Sequence, residues 1–211
     1  MQSEQNVFIQ GEAGQLDIKH RPASDHQIGL LMCHPHPLFQ GTMDNKVVTT
    51  VTRAAAELGL PTLRFNFRGV GKSEGEHDNG RGEQQDVLSV IKYAKEQLGW
   101  QKIILAGFSF GAGMACLAAC EAPETVAKLL LVAPPVHHFD APSQLPFEFE
   151  TYVLMGNADD VVPFDEVEDW VARVVPAPHM YIYEDAGHFF HGRLVELKDT
   201  VQSIINAGLQ Q

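Results

Sequence analysis

Lys102-Ile103-Ile104-Leu105-Ala106-Gly107-Phe108-Ser109-Phe110-Gly111-Ala112-Gly113 runs from an apolar segment through Gly-x-Ser-x-Gly into a row of small residues. The spacing predicts a strand over Lys102 to Ala106, a sharp turn at Ser109 and a helix starting at Phe110. Such a turn strains the serine backbone and leaves no room for side chains two positions before and after it, where Gly107 and Gly111 stand. Ser109 is therefore expected to be lifted clear of a sheet as a nucleophile. The helix N-terminus would place the Phe110 N–H where it can meet a developing oxyanion. Gly-x-Ser-x-Gly also occurs in ordinary glycine-rich turns. What marks a nucleophile elbow is context: strand before, helix after, then an acid and a histidine in that order.

A serine hydroxyl is a poor nucleophile until a histidine takes its proton, and that histidine needs an acid to hold its tautomer. In a parallel sheet the partners belong just beyond the carboxyl ends of later strands. Thr151 to Met155 reads as one such strand, followed by Gly156-Asn157-Ala158-Asp159-Asp160-Val161-Val162-Pro163. Val-Val-Pro leads the chain away to the next helix, which favours Asp159 as the acid; Asp160 remains the alternative and suits turn or capping chemistry better. His179 to Tyr183 is the next strand, and the loop Glu184-Asp185-Ala186-Gly187-His188-Phe189-Phe190-His191-Gly192 offers the base. His188, with Phe189 and Phe190 to pack it, is expected to serve. Its rival His191 reads as a surface residue before the last helix.

Asn6 to Gln10 and Gln15 to His20 read as a hairpin at a sheet edge. Gln27 to Cys33 is a near-continuous apolar run, as expected of a strand covered on both faces. The spacing predicts a helix from Lys46 to Leu58, stopped by Gly59, then an alternating strand from Thr62 to Phe67. Helices are expected at Glu83 to Leu98, Phe110 to Cys120, Phe164 to Val174 and Arg193 to Ile205, and a further strand at Lys128 to Val132. Residues 133–150, punctuated by Pro134, Pro135, Pro142 and Pro146, read as a loop or one short helix. Alternating strands and helices give the α/β class: a mostly parallel central sheet with helices on both faces and an N-terminal antiparallel hairpin. Residues 1–211 are read as one domain.

A chain of 211 residues with 45% hydrophobic and 20% charged residues is ordinary for one such domain. Its net charge of -12, with no basic run, argues against nucleic acid or an anionic membrane as partner. Met1-Gln2-Ser3-Glu4-Gln5-Asn6 has no leader pattern, and no stretch approaches transmembrane length. Cys33, Cys116 and Cys120 make an odd count, which is no disulfide framework; they read as small apolar packing residues and fit a reducing cytoplasm.

The order Ser109, Asp159, His188 resembles that of the α/β-hydrolase superfamily. The strings His34-Pro35-His36-Pro37-Leu38-Phe39-x-Gly-Thr-Met-Asp-Asn and Leu63-Arg-Phe-Asn-Phe-Arg-Gly-Val-Gly-x-Ser73 are similar to those of small cap-less bacterial members, predicted hydrolases or carboxylesterases near the dienelactone-hydrolase-like branch. The likeness runs from about Ile28 to the closing helix. Dienelactone hydrolases use a cysteine nucleophile where Ser109 stands, so their substrate is not implied. The resemblance implies an α/β-hydrolase fold without a cap domain and a second oxyanion donor from the loop after Cys33; no cofactor is expected. Pro35 and Pro37 lack an N–H, which leaves His36 or Leu38, with Leu38 preferred. His34 and His36, with no third or fourth ligand in view, make a poor metal site, so no metal is expected; His34 is expected to brace its loop through Asp44 or Asn45.

Gly71-Lys72-Ser73 is like the end of a phosphate-binding loop, but Asn66 stands where its first glycine is required. His137 and His138, in the proline-rich loop over the site, read as solvated loop residues, with a wall of the acyl pocket as the alternative. The expected function is hydrolysis of small-molecule carboxylic esters with small or medium acyl chains through an acyl-enzyme. A thioesterase, a small serine peptidase and an acyltransferase share the same chemistry, and a binding protein that has lost it is the alternative of another class.

Overall fold

The computed structural model describes residues 3–24 and 27–209, so Met1 and Gln2 of the N-terminal stretch lie outside the described residues. β1 (Gln5–Gly11) and β2 (Gly14–Arg21) form the hairpin, with Gly11 opposite Gly14. The later strands are β3 (Ile28–Cys33), β4 (Thr62–Phe65), β5 (Lys102–Phe108), β6 (Val126–Val132), β7 (Glu150–Gly156) and β8 (His179–Tyr183). Between them lie α1 (Lys46–Glu57), α2 (Arg81–Glu96), α3 (Phe110–Glu121) and α4 (Phe164–Arg173), and α5 (Leu194–Leu209) closes the described chain.

All of these strands join one sheet in the order β1-β2-β4-β3-β5-β6-β7-β8. β2 runs antiparallel to β1 and β4, and every pair from β4 through β8 is parallel. The order has a physical consequence. From β3 the chain steps to β4 on one side and returns to β5 on the other, which opens a crevice at the carboxyl ends of β3 and β5. Cys33 and Gly107 are register partners there.

The central strands are apolar because both faces are covered. Leu30, Leu31, Met32, Ile103, Leu105 and Leu130 are fully enclosed, each contributing about 1.5–3 kcal/mol by leaving water. α1 packs on α5 and against β3 and β4, while α3 packs on α2 and against β5 and β6, so the sheet has a helix layer on each face. α3 buries mostly glycine and alanine, with Cys116 and Met114, which lets it lie close to the sheet. β8, paired only with β7, is an edge strand whose Tyr181 and Ile182 face solvent.

Two expectations shift. The strand from Thr62 ends at Phe65, two residues early, because the Asn66 side chain turns to accept the Met43 N–H and the chain leaves the ladder. Its alternation does not mean one wet face: all four residues are buried, and Arg64 is accommodated by Glu4 and Asp44 at 2.8 and 2.6 Å. Residues 133–149 contain turns and no helix. Phe139 from this segment lies over the start of α3, where a Cβ on Gly113 would come within 2.9 Å of its ring.

Candidate active site

Ser109 sits between β5 and α3 at φ 54 and ψ -122, a left-handed conformation that few non-glycine residues adopt. The two glycines explain how the turn closes. A Cβ on Gly107 would lie 2.2 Å from the Gly111 carbonyl, and one on Gly111 would lie 2.4 Å from the carbonyl of His34. The elbow is thus pressed against the end of β3 as well as against itself. Its own amide is spent on the sheet, since Ser109 N donates to Val132 O at 2.8 Å. The Phe110 N–H begins α3, where first-turn amides have no intrahelical acceptor.

The loops after β7 and β8 arrive beside it. Ser109 Oγ lies 3.1 Å from His188 Nε2, and His188 Nδ1 lies 2.8 Å from Asp159 Oδ2. The Asp159 side chain is wholly enclosed, and its other oxygen accepts the amides of Val161 and Val162 at 2.8 Å each. Burial pushes the carboxyl up, but the hydrogen bonds from His188 and from the two amides outweigh it and hold Asp159 below the usual carboxylate range. An ionised carboxylate can only accept, so it draws the ring proton to Nδ1 and leaves Nε2 to accept from the serine hydroxyl. Asp160 is exposed, and so is His191, whose ring stands 6.0 Å from Phe189.

The two loops are stitched to each other by contacts that the sequence reading missed. Ala158 N donates to Ala186 O at 3.1 Å, and Asn157 Oδ1 accepts the Asp185 N–H at 2.8 Å. Gly156 makes this approach possible, because a Cβ there would fall 2.1 Å from Ala186 O. A glycine at a strand end was the one available signal. Phe108 also went unnoticed: its ring lies 4.9 Å from that of His188, with Phe189 edge-on to the imidazole at 5.1 Å.

The loop after β3 carries Leu38 and His36. The Leu38 N–H donates to His36 Nδ1 at 3.2 Å, and Leu38 itself is 68% exposed. His34 does not reach Asp44 or Asn45, which corrects the expectation. Its Nε2 accepts the Phe67 N–H at 3.0 Å and its Nδ1 lies 2.6 Å from Pro35 O, so both nitrogens are occupied and the loop is tied to the chain beyond β4. Asp44 is engaged by Lys19 and Arg64, and Asn45 caps α1 through Val47. Ser73 also stitches, donating to Asn66 O at 2.6 Å and accepting the Asp17 N–H at 2.9 Å. His137 is exposed and pairs with Glu166 at 3.2 Å.

Comparison with known proteins places the fold. Residues 38–150 match the model of the α/β-hydrolase fold family. An α/β serine hydrolase homologue from Coxiella burnetii is 40% identical and superposes with a TM-score of 0.89 over 97% of this chain and 98% of its own. A lidless serine hydrolase from Xanthomonas campestris is 33% identical, with a TM-score of 0.88 over 99% and 96%. An uncharacterised protein of Rickettsia prowazekii is 31% identical over 94% of this chain and 87% of its own. The chain belongs to the α/β-hydrolase family. Family and relatives together support a hydrolytic enzyme. No helix among the described residues is long and apolar enough to cross a membrane.

Proposed function

We propose that the protein is a cofactor-free, cytoplasmic, single-domain serine hydrolase that cleaves carboxylic esters of small or medium acyl chains. The observation that carries this reading is the unbroken chain from Ser109 Oγ through His188 to the enclosed Asp159, at 3.1 and 2.8 Å. His188 takes the serine proton as Oγ attacks the ester carbonyl, and Asp159 stabilises the imidazolium that forms. The Phe110 N–H, with an amide of the 36–38 loop, holds the oxyanion; Leu38 serves if its N–H turns from His36 to substrate. Collapse of the tetrahedral centre expels the alcohol with the His188 proton, and water repeats the sequence on the acyl-enzyme. Residues 133–149, turns without a helix, are too short a segment for a lid domain, which favours small dissolved esters over aggregated lipid.

The test is a panel of p-nitrophenyl esters, from acetate to long acyl chains, on wild type and Ser109→Ala. Turnover that falls by roughly a thousandfold in the variant supports the reading. If neither turnover nor labelling of Ser109 by a fluorophosphonate is found in the wild type, the reading fails and a non-catalytic role takes its place.

A further inference from the structure

The elbow has two flanks. Phe108, before the serine, packs on His188, whereas Phe110, after it, packs on a second group of imidazoles that the reaction above leaves unused. The His36 ring lies 4.8 Å from that of Phe110 and 5.1 Å from that of His77, and His77 lies 5.9 Å from Phe110. Phe39, 81% exposed, closes the outer side of His36 at 4.9 Å. Behind His77 stands Glu83, fully buried on the first turn of α2 and held by the amides of Asp78 and Gly80 at 3.0 and 2.8 Å. Glu83 closes the capping box of α2 through those amides, and its Oε1 also faces the half-buried His77 imidazole.

The proton positions follow from the partners. Before substrate binds, His36 Nδ1 accepts from Leu38 N, which sets the proton of the neutral ring on Nε2, and a substrate hydroxyl accepting there keeps it in place when the Leu38 N–H turns to the oxyanion. Burial, with the neighbouring His77, holds His36 below its ordinary pKa against the pull of Glu83, and His138 adds to the lowering, which favours that neutral ring. His77 Nδ1 lies 2.8 Å from Glu83 Oε1, facing the carboxylate although off the line of a well-formed hydrogen bond. A carboxylate there places the proton on Nδ1 and leaves the Nε2 of a neutral His77 as an acceptor. Neither Nε2 has a partner among the described residues, and neither is sealed from solvent.

A donor and an acceptor on adjacent rings suit a group that is both at once. We propose that His36 and His77 bind a hydroxyl of the substrate, donating from His36 Nε2 and accepting at His77 Nε2, so that the preferred esters carry a hydroxyl on the portion lying along Phe110. This rests on the hydrolase reading and narrows its substrate class. A substrate carboxylate fits less well, because it only accepts and would meet the His77 lone pair with Glu83 behind it.

The experiment compares esters matched in shape. The pairs are 2-hydroxyethyl butyrate against propyl butyrate, and methyl 3-hydroxybutyrate against methyl 3-methylbutyrate, with p-nitrophenyl acetate reporting hydrolysis itself. Wild type is expected to favour the hydroxylated member of at least one pair by about tenfold in kcat/KM, the scale of a hydrogen-bonded pair. His36→Phe and His77→Phe should each bring that ratio to about one, and His77→Gln, which keeps an acceptor, should restore part of it. Ratios are taken within each variant, so a loss common to both esters cancels. A wild-type ratio near one in both pairs, or a preference that survives both phenylalanine variants, overturns the proposal while the hydrolase reading stands. No turnover of any ester by wild type overturns both.

Discussion

Asp159 accepts hydrogen bonds on both oxygens, while Asp160, one position later, is exposed. Asp159→Asn preserves shape but lets the amide favour the wrong His188 tautomer, so kcat is expected to fall by about a thousandfold or more. Asp160→Asn should stay within about twofold of wild type, the ordinary scatter of a surface change. Steady-state kinetics on p-nitrophenyl acetate separates the two, and equal losses would refute the assignment. His34 carries a different expectation. Burial lowers its pKa to about 4, and the protonated ring would lose its bond from Phe67. The unfolded chain takes up that proton near the ordinary value of about 6.5 and the folded chain only near 4, so the His34 contribution is complete above the first value and lost as pH falls toward the second. That amounts to up to about 3 kcal/mol over the window. Urea unfolding of His34→Gln should show less loss between pH 7 and pH 4 than wild type; parallel losses would count against the assignment.

The elements were legible where one local rule decides them. Gly107 and Gly111 announced the elbow because the turn itself demands them, and the proline-rich segment declared itself a loop. Thr62 to Phe65 was harder, since a buried arginine reads as a solvent-facing residue until Glu4 and Asp44 are seen to meet it. The group around Phe110 was hidden for another reason: His36 lies in a loop far along the chain from His77 and Glu83, and no periodicity links them. The junction between β7 and β8 was hidden too, although Gly156 is the position on which it turns. Gly156→Ala should push Ala158 away from Ala186 and draw the acid off the base. Activity is expected to drop by about a hundredfold, as small misplacements of catalytic groups do. The KM should change little, and the Tm should fall by a few degrees for about 1–3 kcal/mol of strain. Loss of binding with kcat intact would argue against it.

Over the whole molecule, the machinery is unevenly supported. Ser109 follows β5, which lies in the centre of the sheet with strands on both sides. His188 follows β8, which has one neighbour and exposes Tyr181 and Ile182. Edge elements with few buried contacts open at lower free energy than the core they adjoin. In rising urea the enzyme should therefore fall silent before it unravels: ester turnover vanishes first, while circular dichroism still reports an intact sheet and the Trp100 environment holds. Coincident loss of all three signals would mean that edge and centre give way together. If activity does go first, the edge strand is the protein's fuse, and tightening β8 against β7 would extend the working range without touching a single reacting atom.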